Sequence, residues 1–238
     1  MKLYDEIIAS WNGMLLECEA KSLPIEADVN WPDVGKDNMI LRSDMAYELG
    51  GSSASIPALG GTAITDDKNL VSQDEILLVG PDLPEIKADV PYARIAMARV
   101  RGEEMGEGNT LYNAIRNIEY VRYRVNPQGF MMRVSSMHER ESVRVSKDAI
   151  ANGLDFKTVG NMMLQSFHRN TKVEAVKIIF ITAPNFPYNQ LDKDIRQGEK
   201  ITKTIDHMLK NVMSDCSACS LQEICDEVEG LRELHFKQ

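Results

Sequence analysis

The chain has 238 residues, a formal net charge of −9, 43% hydrophobic residues and 26% charged residues. That length suits one large domain with appendages and buries enough surface to fold without disulfides. The acidic balance argues against a general nucleic-acid binder, which presents a basic surface to phosphates, and no apolar run reaches the length of a membrane helix. The opening MKLYDEIIASWNG sets Asp5 and Glu6 where a secretory signal has its basic and apolar regions, so a cytoplasmic protein is expected.

Residues 3–18 place Leu3, Ile7, Ile8, Trp11, Met14, Leu15 and Cys18 at helical spacing, which predicts an amphipathic opening helix with Cys18 as a core thiol. KSLPIEADVNWPDVGKDN, with two prolines and many turn formers, reads as an irregular link to the main domain. Strands are expected at MILRSDMAYEL (39–49), at 76–79 before the Gly80-Pro81 turn, at 92–100 and at 130–134. A helix fits 107–122, through Leu111, Ile115, Ile118 and Val121. Ser146 is placed to cap a short helix ending near Gly153, and Asp155 to cap a helix over 156–169; each side-chain oxygen would accept from an otherwise unpaired N–H. VEAVKIIFIT (173–182) has the length and β-branched content of a buried strand. A long helix is expected over 190–213, with Ile195, Ile201, Ile205, Leu209 and Val212 on one face. The Gly-Gly pairs at 50–51 and 60–61 read as turns, and neither fits a nucleotide fingerprint.

Strands mixed with helices, without regular βαβ alternation, predict an α+β fold: a mixed β-sheet with flanking helices, an N-terminal helix and a C-terminal cysteine-rich helical tail. The expected division is 1–21 for the opening helix, 22–213 for the α+β domain and 214–238 for the tail.

Three of the four cysteines fall within ten residues. Cys216 and Cys219 form a C-x2-C pair, Cys225 follows after five residues, and His235 after nine more. In a reducing compartment, clustered thiols read as ligands or redox groups. Two residues between thiolates let one tight turn aim both sulfurs at a single ion. Three cysteines and a histidine complete a tetrahedral zinc site, and they equally suit an iron–sulfur cubane with histidine on one iron. A second departure from average composition lies between Arg94 and Lys147, where nine arginines and one lysine stand against six glutamates in an otherwise acidic chain. Arginine's planar fork suits phosphate, so such a stretch marks either an anion site or a salt-bridged surface.

SDMAYELGG (43–51), ILLVGPDL (76–83) and RVSKDAIANGLDFKTVGNMML (144–164) resemble the middle domain of the carbon monoxide dehydrogenase/acetyl-CoA synthase β subunit, in the same order and at comparable separations, and the likeness extends over about 22–236. The resemblance implies that Cys216, Cys219 and Cys225 match the first three ligands of a 4Fe–4S cluster, with His235 at the fourth place, where the family has cysteine. It favours the cluster over zinc. In the family that cluster is bridged to a dinuclear nickel centre held by a Cys-Gly-Cys motif, which this sequence does not contain. No nickel site is therefore expected, nor complete acetyl-CoA synthesis by this chain alone. The resemblance also implies coenzyme A as a ligand of the basic stretch, with Arg99, Arg101, Arg122, Arg124 and Arg133 as candidates. Arg144 and Lys147 sit in the most family-like string and read as structural. The expected role is an accessory, assembly or electron-transfer component of anaerobic one-carbon metabolism, with a partner in a CO dehydrogenase, corrinoid or methyltransferase system. The alternative is an interaction module whose tail is pinned by a structural Cys3His zinc site.

Overall fold

The structure, a computed structural model, describes residues 2–51, 56–135 and 140–209. Two sheets form its frame. The larger has the strand order β1 (Ala20–Ser22), β4 (Glu75–Val79), β8 (Val173–Ile181), β5 (Tyr92–Val100) and β3 (Ala58–Thr65). It is mixed: β4 runs parallel to β8 and β3 to β5, while β5 and β8 are antiparallel. The smaller is antiparallel, in the order β2 (Met45–Leu49), β7 (Arg140–Ser146) and β6 (Phe130–Ser135). The α+β class expected from the sequence is therefore the one found.

Helices cover both faces of the large sheet. Helix α1 (Asp5–Leu16) and helix α5 (Tyr188–Leu209) lie on one face, where Trp11 and Ile195 reach Gly61 of β3. Helix α4 (Phe156–His168) lies on the other, with Gly160 against Ile76 and Phe180. Helix α2 (Gly108–Glu119) continues into a 3-10 turn over Tyr120–Tyr123, and α3 (Lys147–Ala151) is a single short turn after β7. The two predicted caps are present: the Ser146 hydroxyl accepts from the Ala149 N–H and the Asp155 carboxylate from the Thr158 N–H. Among the described residues no helix is long and apolar enough to cross a membrane.

The three strings that carried the family resemblance meet in space. The Tyr47 hydroxyl donates to the Leu83 carbonyl at 2.6 Å, and Asp82 accepts from the Phe156 N–H at 2.9 Å. Phe156 then stacks on Phe180 at 4.6 Å and touches Tyr92 and Phe130, both at 6.4 Å. These residues tie the small sheet, the Gly80-Pro81-Asp82 turn and α4 into one core. In the same region Arg144 and Lys147 donate to the Ile40 and Ser43 carbonyls.

Three sequence expectations are corrected. The strand predicted over 39–49 forms only at Met45–Leu49, because a turn closes from Leu41 to Asp44 and the Ile40 N–H is spent on the Met131 sulfur. Strands β1 and β7 were not anticipated; β7 hides because arginines and serines occupy its outward positions. Most consequential, Gly60-Gly61 is no turn. It lies in the middle of β3, a strand buried along its whole length. The pair at 50–51 does turn, with Gly50 at φ +65°.

Glycine is required at 60 by contact. A Cβ there would collide with the Glu141 carboxylate, and one at Gly61 would stand 3.0 Å from Ile195. Gly60→Ala is expected to lower stability by about 1–3 kcal/mol through overpacking. Gly13→Ala, in α1 with open space around it, should raise stability by about 1 kcal/mol. Denaturant midpoints for the two variants, at unchanged slope, check both signs.

Candidate functional site

Strand β3 is an edge of the large sheet, yet side chains rather than another strand cover it. Around this edge lies a cavity of about 310 Å³, walled by α1, α2 and its 3-10 extension, β6–β7 and α5. Four cationic residues line it (Arg116, Arg122, Arg140 and Lys203), together with the carboxylates of Glu119, Glu141 and Glu199. Trp11, Ile7, Ala63 and Ile195 supply apolar wall.

Arg122 is the arginine that closes the β3 edge. Its guanidinium donates to the Gly60 carbonyl at 2.7 Å and to the Tyr123 hydroxyl, and it stacks 4.7 Å from the Tyr123 ring. Arg116 sits over Tyr120 in the same way, at 4.6 Å. Stacking leaves the edges of a guanidinium available for hydrogen bonds, which a lysine would not offer in this geometry.

Behind the cavity, Arg94 of β5 and Glu141 of β7 form an ion pair whose side chains are only 3% and 6% exposed. The same guanidinium approaches the Met132 and Met163 sulfurs and donates to the Arg122 carbonyl. Gly60 provides the room for Glu141. A buried pair of this kind stands only when both charges are satisfied.

Glu119 closes the cavity's other end. Its Oε1 accepts from the Tyr4 hydroxyl of α1 at 2.8 Å and from the Thr202 hydroxyl of α5 at 2.6 Å. Glu119 is 8% exposed, and burial pushes its pKa above the ordinary glutamate value despite these donors and the nearby Arg122 and Arg116. The Tyr4 hydroxyl is pushed far up by burial and by the Glu119 charge. One carboxylate thus joins α1, α2 and α5.

The five arginines singled out from the sequence do not converge. Arg99 donates to the Val71 and Ser72 carbonyls at 2.7 and 2.8 Å and shares Glu174 with Arg101, at the far end of β5. Arg101 also pairs with Glu104 at 3.0 Å. Arg133 pairs with buried Glu48 at 2.7 Å in the small sheet. Arg124 is exposed just after the 3-10 turn. Only Arg122 lines the cavity. Sequence reasoning missed Glu119, Glu141 and Arg94, whose importance comes from pairing across 47 to 115 positions of chain separation and leaves no local pattern.

Cys216, Cys219, Cys225 and His235 lie outside the described residues. Among the described residues no three His, Cys, Asp or Glu side chains stand together as a metal site. Cys18 is partly buried against the core, and burial raises its thiol pKa.

A family model matches residues 29–186, from the segment before β2 to the loop after β8. The chain belongs to the CO dehydrogenase/acetyl-CoA synthase complex beta subunit family. No curated protein matches the chain individually. The family match takes in both sheets except β1, and with them the Arg94–Glu141 pair, Arg122 and Glu119. It ends before α5 and before the cysteines.

Two predictions come from the buried charges. Glu141→Ala should cost about 3–5 kcal/mol by leaving Arg94 unpaired in the core, while the apolar double replacement Arg94→Met with Glu141→Leu should cost less than the single change. For Glu119 the folded pKa lies above the unfolded one, so its favourable contribution is full below the ordinary glutamate range and is lost as pH rises through the raised value. Glu119→Gln, which keeps an oxygen for Tyr4 and Thr202, should therefore gain stability relative to the parent chain as pH rises from about 4 to 7. Chemical denaturation across that range reads the difference.

Proposed function

We propose that this family member binds an iron–sulfur cluster through Cys216, Cys219, Cys225 and His235, and serves as an accessory, assembly or electron-transfer component of CO and acetyl-CoA chemistry. The observation that carries the reading is the family match over 29–186 in a chain whose following segment holds a C-x2-C pair with a third cysteine at close spacing. The donor set fits the group: three thiolates and an imidazole supply four ligands, the number a cubane takes. The 22–213 domain then acts as scaffold, and the 214–238 segment as the metal-bearing unit. When bound, the cluster would supply one-electron chemistry or a sulfur-bridged anchor for another metal.

The matched family is described as a subunit of a complex, which supports a protein partner drawn from a CO dehydrogenase, corrinoid or methyltransferase system. Coenzyme A is the proposed small ligand of the basic stretch. Arg122 is its best-placed candidate, since of the five it alone lines the cavity, while Arg99, Arg101 and Arg133 are held in ion pairs elsewhere.

Anaerobic purification with metal analysis and a visible spectrum tests the cluster. Iron and acid-labile sulfide in equal amounts, with broad visible absorption lost in Cys216→Ser, Cys219→Ser and Cys225→Ser, is the expected result. A colourless protein with one zinc per chain and no iron would favour the alternative, an interaction module pinned by a Cys3His site; in that case Cys225→Ser should lower stability with no redox signal to lose.

A further inference from the structure

A second concave surface, lined by no residue of β3, lies between the irregular segment 30–44, the loop leading into β6 and the start of α3, and holds about 530 Å³. Bonds between the two loops fix its walls. The Trp31 indole donates to the Gln128 carbonyl at 3.0 Å, and the Gln128 N–H to the Pro32 carbonyl at 2.8 Å. The Asn38 side chain donates to the Pro127 and Phe130 carbonyls and accepts from the Gly129 N–H. Gly129 lies close against α3, where a side chain would meet Ala149. The groove is therefore formed before anything enters it, and an occupant loses little in ordering it.

Its lining has an apolar and a charged part. Trp31, Pro32, Val34, Met39 and Ile40 form the apolar strip. Met39 is 75% exposed, and Leu41, on the other side of buried Ile40, is 58% exposed. Scattered exposed apolar residues are ordinary. These border a concave strip that already holds a tryptophan, and tryptophan and methionine are enriched where proteins dock. The charged part is Asp37, Asp44 and Asp148, and no lysine or arginine lines the groove. Elsewhere carboxylates are spent on cations, as Glu26 is on Lys157 and Glu174 on Arg99 and Arg101. The three aspartates make no ion pair among the described residues. Nor do they gather as a metal site, so their charge is spread along the groove and calls for separated cations rather than one ion. A second copy of this chain, at net −9, or its own 210–238 segment, with six carboxylates against three lysines and arginines, would bring like charge.

We infer that this groove docks an extended segment of a partner protein that carries lysines or arginines interspersed with apolar side chains. Three pools of amidated hexapeptides test it: Lys or Arg alternating with apolar residues, Asp or Glu alternating with the same apolar residues, and Lys or Arg alternating with Ser or Gly. Trp31 reports occupancy by its fluorescence, and Trp31→Phe, which leaves only the buried Trp11, should lose the response. The basic apolar pool should bind saturably, about tenfold more tightly than either other pool, and more weakly as salt rises. Asp37→Asn with Asp148→Asn, and separately Met39→Ser, should each weaken it by a similar factor. Anisotropy of the labelled pool reads the same affinities without tryptophan. Glu103→Gln with Glu107→Gln removes as much charge outside the groove and should change binding little. An equal loss in that control would reduce the binding to net charge and overturn the inference. Equal binding of the pools, preference for either other pool, or no saturable binding of the basic apolar one would overturn it as well. A dimer in sedimentation that Met39→Ser dissolves would assign the groove to a second copy, against the inference. The groove uses none of the proposed metal ligands or coenzyme A arginines, so selective binding by a protein without iron would sustain it even as the cluster assignment failed.

Discussion

The contact between Glu141 and Arg94 in the space beside Gly60 is the constraint on which the two sheets depend. A carboxylate and a guanidinium almost wholly removed from water stand only if each meets the other and the remaining donors find acceptors. Here they do, through the Arg122 carbonyl and two methionine sulfurs. Because Glu141 belongs to the small sheet and Arg94 to the large one, this pair sets the position of one sheet on the other. Hydrophobic packing is tolerant of sliding; a buried ion pair is not.

The edge of β3 follows from that arrangement. An eight-residue edge strand with open backbone groups invites pairing with another chain. In this protein α1, α5, the α2 extension and β7 close over it, and Arg122 takes up a carbonyl that a neighbouring strand would otherwise use. The closure is incomplete, and the space it leaves is the cavity. Glu119 gathers the three helices around that space, so the polar groups that line it are also the groups that hold the surrounding helices together.

Much of the fold was legible in the sequence because its signals are local. Helical spacing gave α1 and α2, Ser146 and Asp155 announced the starts of α3 and α4, and a β-branched run marked β8. Gly60-Gly61 misled because a glycine pair means a turn far more often than a strand packed too tightly on both faces for any side chain. The arginine-rich stretch was visible as composition, but which arginine mattered was not: Arg99 and Arg133 find their carboxylates in residues distant along the chain, and only folding reveals that Arg122 lines a cavity. The family strings were recognisable for a reason that only the structure supplies. They meet around Phe156 and Asp82, where the core tolerates little change, so they identify the fold more directly than the chemistry.

The strand order has a kinetic side. Strand β8, formed by residues 173–181, lies between β4 and β5, which precede it by about a hundred residues or fewer. Until it arrives, β1–β4 and β3–β5 are two separate pairs with apolar flanks and no common core. During synthesis the chain must therefore carry those exposed strands until most of it has left the ribosome. The long separation of paired residues makes the search slow and the waiting state prone to association. A protein built this way is one whose yield in a cell should respond to chaperones and temperature more strongly than the stability of its finished fold would indicate.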